Sequence, residues 1–185
     1  MLKVTSAPAE EPISLSEAKA HLKVDYSADD DYITALITAA RQQAEEYTNL
    51  ALIDTTYEQA FDGFPVTTRL NPYQSLVLWR SPLISVTSVV YTAEDGTSIT
   101  EDAANYKVDT YRRPPSVSPV YGYSWQSAQD IPASVVMTFR AGYADADSVP
   151  VAIKQALLLM IGAWYDNRED SVYNLPTQSR VMLSK

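Results

Sequence analysis

Hydrophobic positions recur at helical spacing in three stretches of the chain, and at strand spacing between the second and the third. The last helical stretch is the most apolar. From Ala156 to Tyr165 it contains no charged residue. Asp147 or Ser148 can supply the N-cap oxygen, and Pro150 falls in the first turn, where a missing N–H costs little. The expected helix covers 149–168. A helix apolar on every face must be covered on more than one side. One side can face its own domain. The other needs a second layer of the chain or a neighbouring subunit. The apolar run is about half of the ~20 residues that a membrane span needs, and Asp166 to Asp170 follow it at once, so no membrane span is expected.

Near the other end, Ser14-Leu15-Ser16-Glu17 has the spacing of a capping box, and Leu15, Ala18 and Leu22 line one face of a short helix over 14–24. Ser27 opens a second helix over 28–48. Its stripe is Ile33, Leu36, Ile37, Ala40, Ala44 and Tyr47, and Asn49 is a suitable stop. Asp29, Asp30 and Asp31 suit the positive end of its macrodipole. Residues 1–12, with Pro8 and Pro12, read as a loose lead-in.

Between these helices the pattern changes period. Thr55–Phe61 alternates as a strand, and Asp62-Gly63-Phe64-Pro65 marks a turn. Extended runs follow at 76–79 and 84–91. An Asp95-Gly96 turn leads to a return strand at 97–100. Further runs lie at 106–111, 117–120 and 135–141, and 112–115 and 121–131 read as exposed loops. The fold class is therefore α+β. A discontinuous α-helical bundle, 13–52 plus 148–170, carries an inserted antiparallel β unit at 55–143. Residues 171–185 form an extended C-terminal tail. The two helical parts are each too small to stand alone, and are expected to pack on each other.

The composition removes several functions. Net charge is −9, which argues against sequence-independent nucleic-acid affinity and against an anionic membrane surface. There is no cysteine, hence no disulfide or thiolate chemistry. The first residues lack a charged-then-apolar pattern, and synthesis in the cytoplasm is the expectation. The single histidine, His21, has no nucleophile motif beside it. Asp29–Asp31 lack the spaced oxygens of a calcium loop. Asp166, Glu169 and Asp170 suit a solvated helix end, with Arg168 among them. The glycines do not form a nucleotide cradle. No catalytic, metal-binding or cofactor-binding residue is expected, and no enzyme. Arg112-Arg113 on a Pro-rich loop suits a solvated loop or a contact with an acidic partner.

The informative features are those of an assembly component. The 13 tyrosines suit interfaces, being apolar with a polar tip. Trp164, Tyr165 and Arg168 close the apolar helix and are the candidate subunit-interface residues. The tail carries Val172, Tyr173, Leu175, Val181, Met182 and Leu183, with Arg180 and Lys185 as its only charges. A solvated, disordered tail is expected to be poorer in apolar residues.

Several phrases, taken in order, resemble one family. They are Pro12-Ile13-Ser14-Leu15-Ser16-Glu17-Ala18-Lys19-Ala20-His21-Leu22, then Asp30-Asp31-Tyr32-Ile33 through Glu46-Tyr47-Thr48-Asn49, then Ser81-Pro82-Leu83-Ile84-Ser85-Val86 and Phe139-Arg140-Ala141-Gly142-Tyr143. The run from Val149-Pro150 to Trp164-Tyr165-Asp166-Asn167-Arg168-Glu169 is the closest. Together they resemble the head–tail connector (adaptor, or head-completion) proteins of tailed bacteriophages, in the longer form with a β insertion. Thr48-Asn49 stands where that family often has Thr-Gly, and asparagine tolerates the same left-handed cap.

The resemblance implies a structural virion protein at the neck, or head–tail junction. It would form a ring under the portal, twelve-fold in expectation, linking the DNA-filled capsid to the tail. DNA would pass through the lumen without specific binding. Its partners would be copies of itself, the portal protein, and a stopper, tail-completion or tail-terminator protein. The tail after residue 170 would anchor on the portal. The alternatives are a tail-terminator or other tail-completion ring, a monomeric binding module, and a small enzyme with an unrecognised site.

Overall fold

The computed structural model describes residues 1–168 and 182–183. Three α-helices and eight β-strands alternate in blocks along these residues. The backbone divides into two units, each assembled from two chain segments. The β unit is Met1–Ala7 with Asp54–Gly142, and the helical unit is Pro8–Ile53 with Tyr143–Lys185.

In the helical unit, α1 (Leu15–Leu22) is fixed at both ends. Ser14 Oγ accepts from Glu17 N–H at 3.2 Å, while Ser14 N–H donates to the Glu17 carboxylate at 2.8 Å. Two backbone N–H groups that a helix start leaves unpaired are satisfied reciprocally in this way. Lys23 turns left-handed (φ 58°) to end it. Helix α2 (Asp30–Thr48) starts two residues later than its polar pattern suggests, and stops at left-handed Asn49 (φ 56°). Helix α3 (Val151–Asp166) has Pro150 at its N-cap and no side-chain cap, so neither Asp147 nor Ser148 serves there.

The core of this unit joins Ile33, Ile37, Ala40 and Ala44 of α2 to Ile153, Ala156, Leu157, Met160 and Ile161 of α3. Leu22 and Leu36 pack at its margin. Alanines at the contact leave little side chain between two backbones, so the helices can approach closely. A Cβ added at Gly162 would stand 3.4 Å from Nε2 of His21. The lone histidine is thus a packing residue laid over a glycine. Arg41 lies largely buried in α2, and its guanidinium pairs with Glu11 at 2.7 Å and Glu45 at 2.9 Å. Glu45 also accepts from Leu52 N–H at 2.8 Å. The buried charge is therefore paired and hydrogen-bonded, as a buried charge must be.

The β unit contains two antiparallel sheets. Their strands are β1 (Leu2–Ser6), β2 (Thr55–Phe61), β3 (Leu76–Val77), β4 (Leu83–Thr92), β5 (Ser98–Thr100), β6 (Tyr106–Asp109), β7 (Ser116–Pro119) and β8 (Val135–Ala141). One sheet has the order β1-β2-β8-β4-β5 and the other β3-β7-β6. The first residues are not a loose lead-in. They form edge strand β1, paired with β2 from Leu2↔Gln59 to Ser6↔Thr56. The alternation of β2 and β8 buries Thr55, Tyr57, Gln59, Val135, Met137, Phe139 and Ala141, with the Tyr57 and Phe139 rings stacked at 5.6 Å. The 121–131 segment is not wholly exposed either. Trp125 is buried, stacks on Phe64 at 4.7 Å, and donates its indole N–H to Gln74 O at 2.8 Å.

Pairing of β2 with β8 sets Thr55 opposite Ala141, so the chain enters and leaves the larger part of this unit side by side. Asp54 and Arg140 form an ion pair at the same place.

The two sheets are tied by one fully buried polar side chain. Gln59 donates from Nε2 to Val77 O at 2.8 Å and accepts at Oε1 from Trp79 N–H at 2.9 Å. Gln59→Leu keeps the volume close but orphans a carbonyl and an N–H. Each orphaned buried group costs about 1–3 kcal/mol. The expected outcome is a loss of about 2–4 kcal/mol in denaturant unfolding, with 76–79 gaining hydrogen exchange first. Unchanged stability would show that the clamp contributes nothing.

Candidate functional site

No group of three or more His, Cys, Asp or Glu side chains among the described residues is placed to hold a metal ion, and no helix among them is long and apolar enough to cross a membrane. The dense chemistry of the helical unit lies where the start of α2 meets the end of α3. The turn before α2 is held by Lys19, whose ammonium donates to Tyr26 O at 2.7 Å and to the Asp30 carboxylate at 2.6 Å. That places Asp29 beside α3. Asp29 is the N-cap residue of α2, but its side chain makes no cap hydrogen bond. Its carboxylate accepts from Tyr165 O–H at 2.5 Å, Arg168 at 3.2 Å and Tyr26 O–H at 3.3 Å.

The aromatic rings complete the cluster. Tyr32 and Tyr165 lie 6.0 Å apart between centroids. The Arg168 guanidinium stands 4.8 Å from the Tyr32 centroid and 5.2 Å from that of Tyr165, within cation–π range. Tyr32 O–H donates to Trp164 O at 3.4 Å, and Trp164 packs half-buried against the helical core. The three candidate interface residues therefore each have partners within their own unit. Arg168 keeps 57% of its side chain exposed.

Of the candidate tail residues, Val172, Tyr173, Leu175 and Val181 lie outside the described residues. Leu183 is buried in the helical core and Met182 packs against it. Those two side chains already serve the fold of their own unit, which is not the position of an extended, uncommitted anchor. The second apolar side of α3 is partly open. Val151 is 80% exposed, and Leu159 and Ala163 are half-buried.

A second feature was less legible in the sequence. Among the described residues, fifteen large hydrophobic side chains are exposed, and twelve belong to the β unit, including Val66, Leu70, Tyr73, Tyr111 and Tyr121 on its loops. Charge is divided in the opposite sense. The helical segments carry seven basic against fourteen acidic residues, and the β segments seven against nine. Apolar contact surface and negative charge thus sit on different units.

Residues 12–78 match the phage gp6-like head–tail connector protein family. The match spans α1, α2 and the first strands after them, and it is the family that the residue phrases resemble. Among solved structures, a chain of the virion of a native gene transfer agent particle has the same fold. Its TM-score is 0.79 at 21% identity, covering 100% of this chain and 93% of that one. A chain from the neck of an empty gene transfer agent particle, computed with C6 symmetry, gives 0.76 at 22% identity with the same coverage. One from the neck of a native particle, computed with C12 symmetry, gives 0.68 at 21%. No curated protein matches. At these identities the structural likeness establishes the fold.

The Asp29 cluster predicts a pH dependence. The Tyr165 hydroxyl first, then Arg168 and Tyr26, hold the Asp29 carboxyl below its ordinary range. The same bond pushes the Tyr165 hydroxyl well above the ordinary phenol range. A carboxyl lowered on folding adds stability above its unfolded pKa of about 3.9, and loses it as pH falls through the lower folded value. Asp29→Asn should therefore melt below wild type at pH 7, and the two melting curves should converge as pH falls below about 3.9. A gap that is constant from pH 7 to 2.5 would show that ionised Asp29 does not hold α3.

Proposed function

We propose that this chain is a structural component of the neck of a tailed particle, an adaptor ring that joins the DNA-filled head to the tail. The observation that carries the reading is the full-length likeness to a chain of a gene transfer agent virion, covering 100% of one and 93% of the other, together with a connector-family match on the helices. Fold alone hosts many functions. Here the family match and the fold match agree.

In this reading the helical unit is the connector domain and the β unit an insertion in it. Twelve copies form the ring, in keeping with the C12 symmetry of a neck that holds a similar chain. The ring touches the portal on one side and a stopper or tail-terminator protein on the other. DNA passes through its centre, and a net negative wall would repel the phosphate backbone and let it slide. The open side of α3, with Val151 and Leu159, is a candidate for the subunit boundary, with Trp164, Tyr165 and Arg168 shaping its end. Residues 171–181 reach toward the portal and anchor through Val172, Tyr173, Leu175 and Val181. Ordering such a segment costs roughly 1–2 kcal/mol per residue of backbone entropy, so several buried anchors are needed to offset it.

An asymmetric reconstruction of particles containing the chain is the direct test. Ring density fitting this fold between portal and tail is expected, and the chain's absence from that layer would overturn the reading. For the anchor, Val172→Asp with Leu175→Asp should give a folded protein that fails to join tailless, DNA-filled heads. Full occupancy on those heads would place the anchor elsewhere.

A further inference from the structure

The loop between β6 and β7 is built as a projecting knob. Tyr111 at its tip is 99% exposed, and Arg112 and Arg113 follow it, also exposed. Its feet are fixed. Tyr111 N–H donates to the Asp109 carboxylate at 3.0 Å, and Pro115 O accepts from Leu78 N–H at 2.9 Å. Arg112 lies 3.2 Å from Asp109 but keeps 62% of its side chain exposed. A loop already ordered at both ends loses little further entropy on docking. Tyr and Arg are also the residue types that dominate interface energetics.

The helical unit contains a groove with the complementary chemistry. It has a volume of about 460 Å³, with Ile13 and Ile37 among its apolar lining and Glu10, Glu11, Glu17 and Asp147 around them. Lys154 is the one cation among its lining residues, and it stands 3.6 Å from Glu17. Arg41 pairs with Glu11, so two cations stand against the four carboxylates and the groove stays negative.

We propose that the Tyr111–Arg113 knob of one copy docks in the Glu10–Asp147 groove of a second copy. Tyr111 lies over the apolar floor, and Arg112 and Arg113 meet the rim carboxylates. The contact is heterologous, with the knob in the β unit and the groove in the helical unit, so it can propagate from copy to copy and close into a ring. Charge complementarity selects this occupant. DNA is the other conceivable partner of an Arg pair, but phosphate binding needs clustered cations, and this knob has Asp109 within it on a unit that is itself net negative. The inference rests on the ring reading above.

The chain contains no cysteine, so paired cysteines report the contact without background. Particles assembled with Arg112→Cys and Thr34→Cys in the same chain, treated with a short bismaleimide, should give a ladder of multimers on a denaturing gel. Each single variant should give none beyond a dimer. The chain present in the neck with no ladder, or with a cross-link only inside one chain, would overturn the docking and leave the neck assignment standing. The chain absent from the neck would overturn both. In a second arm, Arg112→Glu with Arg113→Glu should lower incorporation at least tenfold, and Glu10→Arg with Asp147→Arg in that background should restore it. Normal incorporation with loss of retained DNA would assign the arginines to DNA and overturn the inference.

Discussion

The helical unit depends on a contact that its own segments cannot bring about: the register that sets Thr55 opposite Ala141 in the β unit. Asp29 and Tyr165 are 136 residues apart in the chain, and the whole α2–α3 core is closed over a similar distance. Closing a flexible loop of about a hundred residues costs roughly 4 kcal/mol by the logarithmic law. A folded β unit removes most of that cost, because its antiparallel β2–β8 pair delivers both ends of the insertion at neighbouring positions. In a chain without cysteine, the sheet does what a disulfide would do. Asp54 and Arg140 form an ion pair at this junction, where fraying would reopen the loop.

The dependence is not wholly one-sided, because β1 reaches β2 only across the helical segment Pro8–Ile53. The β unit contains its own ties, the Gln59 clamp between sheets and the Phe64–Trp125 stack among them, and none of these draws on a helix. The helical unit needs its two halves delivered together before Ile37, Ala40, Leu157 and Met160 can bury one another.

Local signals were legible in the residues and distant ones were not. The Ser14–Glu17 box, the α2 stripe from Ile33 to Ala44 and the alternation of β2 and β8 are read over a few positions, and the structure has each of them, whereas Tyr47, the last position assigned to the stripe, is exposed. Strand β1 escaped because its partner lies more than fifty residues away, and Leu2–Ser6 has no turn linking it to β2. Trp125 escaped because a Gly- and Ser-bearing loop around it hides a side chain that stacks on Phe64. Gln59 was visible as an inward position of an alternating strand, but only the approach of β3 explains why it is polar. In the sequence, Asp29 suits the helix macrodipole, a one-residue argument. Its principal partners, Tyr165 and Arg168, are at the far end of the chain. The same distance explains Trp164, Tyr165 and Arg168. Composition points such residues toward a partner, and whether that partner is another chain is not written in the segment itself.

In the proposed ring, the division between the units would bear on how copies hold together while leaving a lumen for DNA. Negative charge is concentrated on the helical segments, and exposed apolar side chains on the β segments. Were both on one surface, repulsion between like-charged copies would oppose the burial that drives association. Separated, they act in the same direction. The acidic surface is a poor contact for another acidic surface and for DNA, whereas the tyrosine-bearing loops can bury area against it. Copies that repel through like faces and attract through unlike ones favour a head-to-tail arrangement over a two-fold dimer. A ring needs that bias, because a two-fold pair of this chain would be closed and could add no third copy.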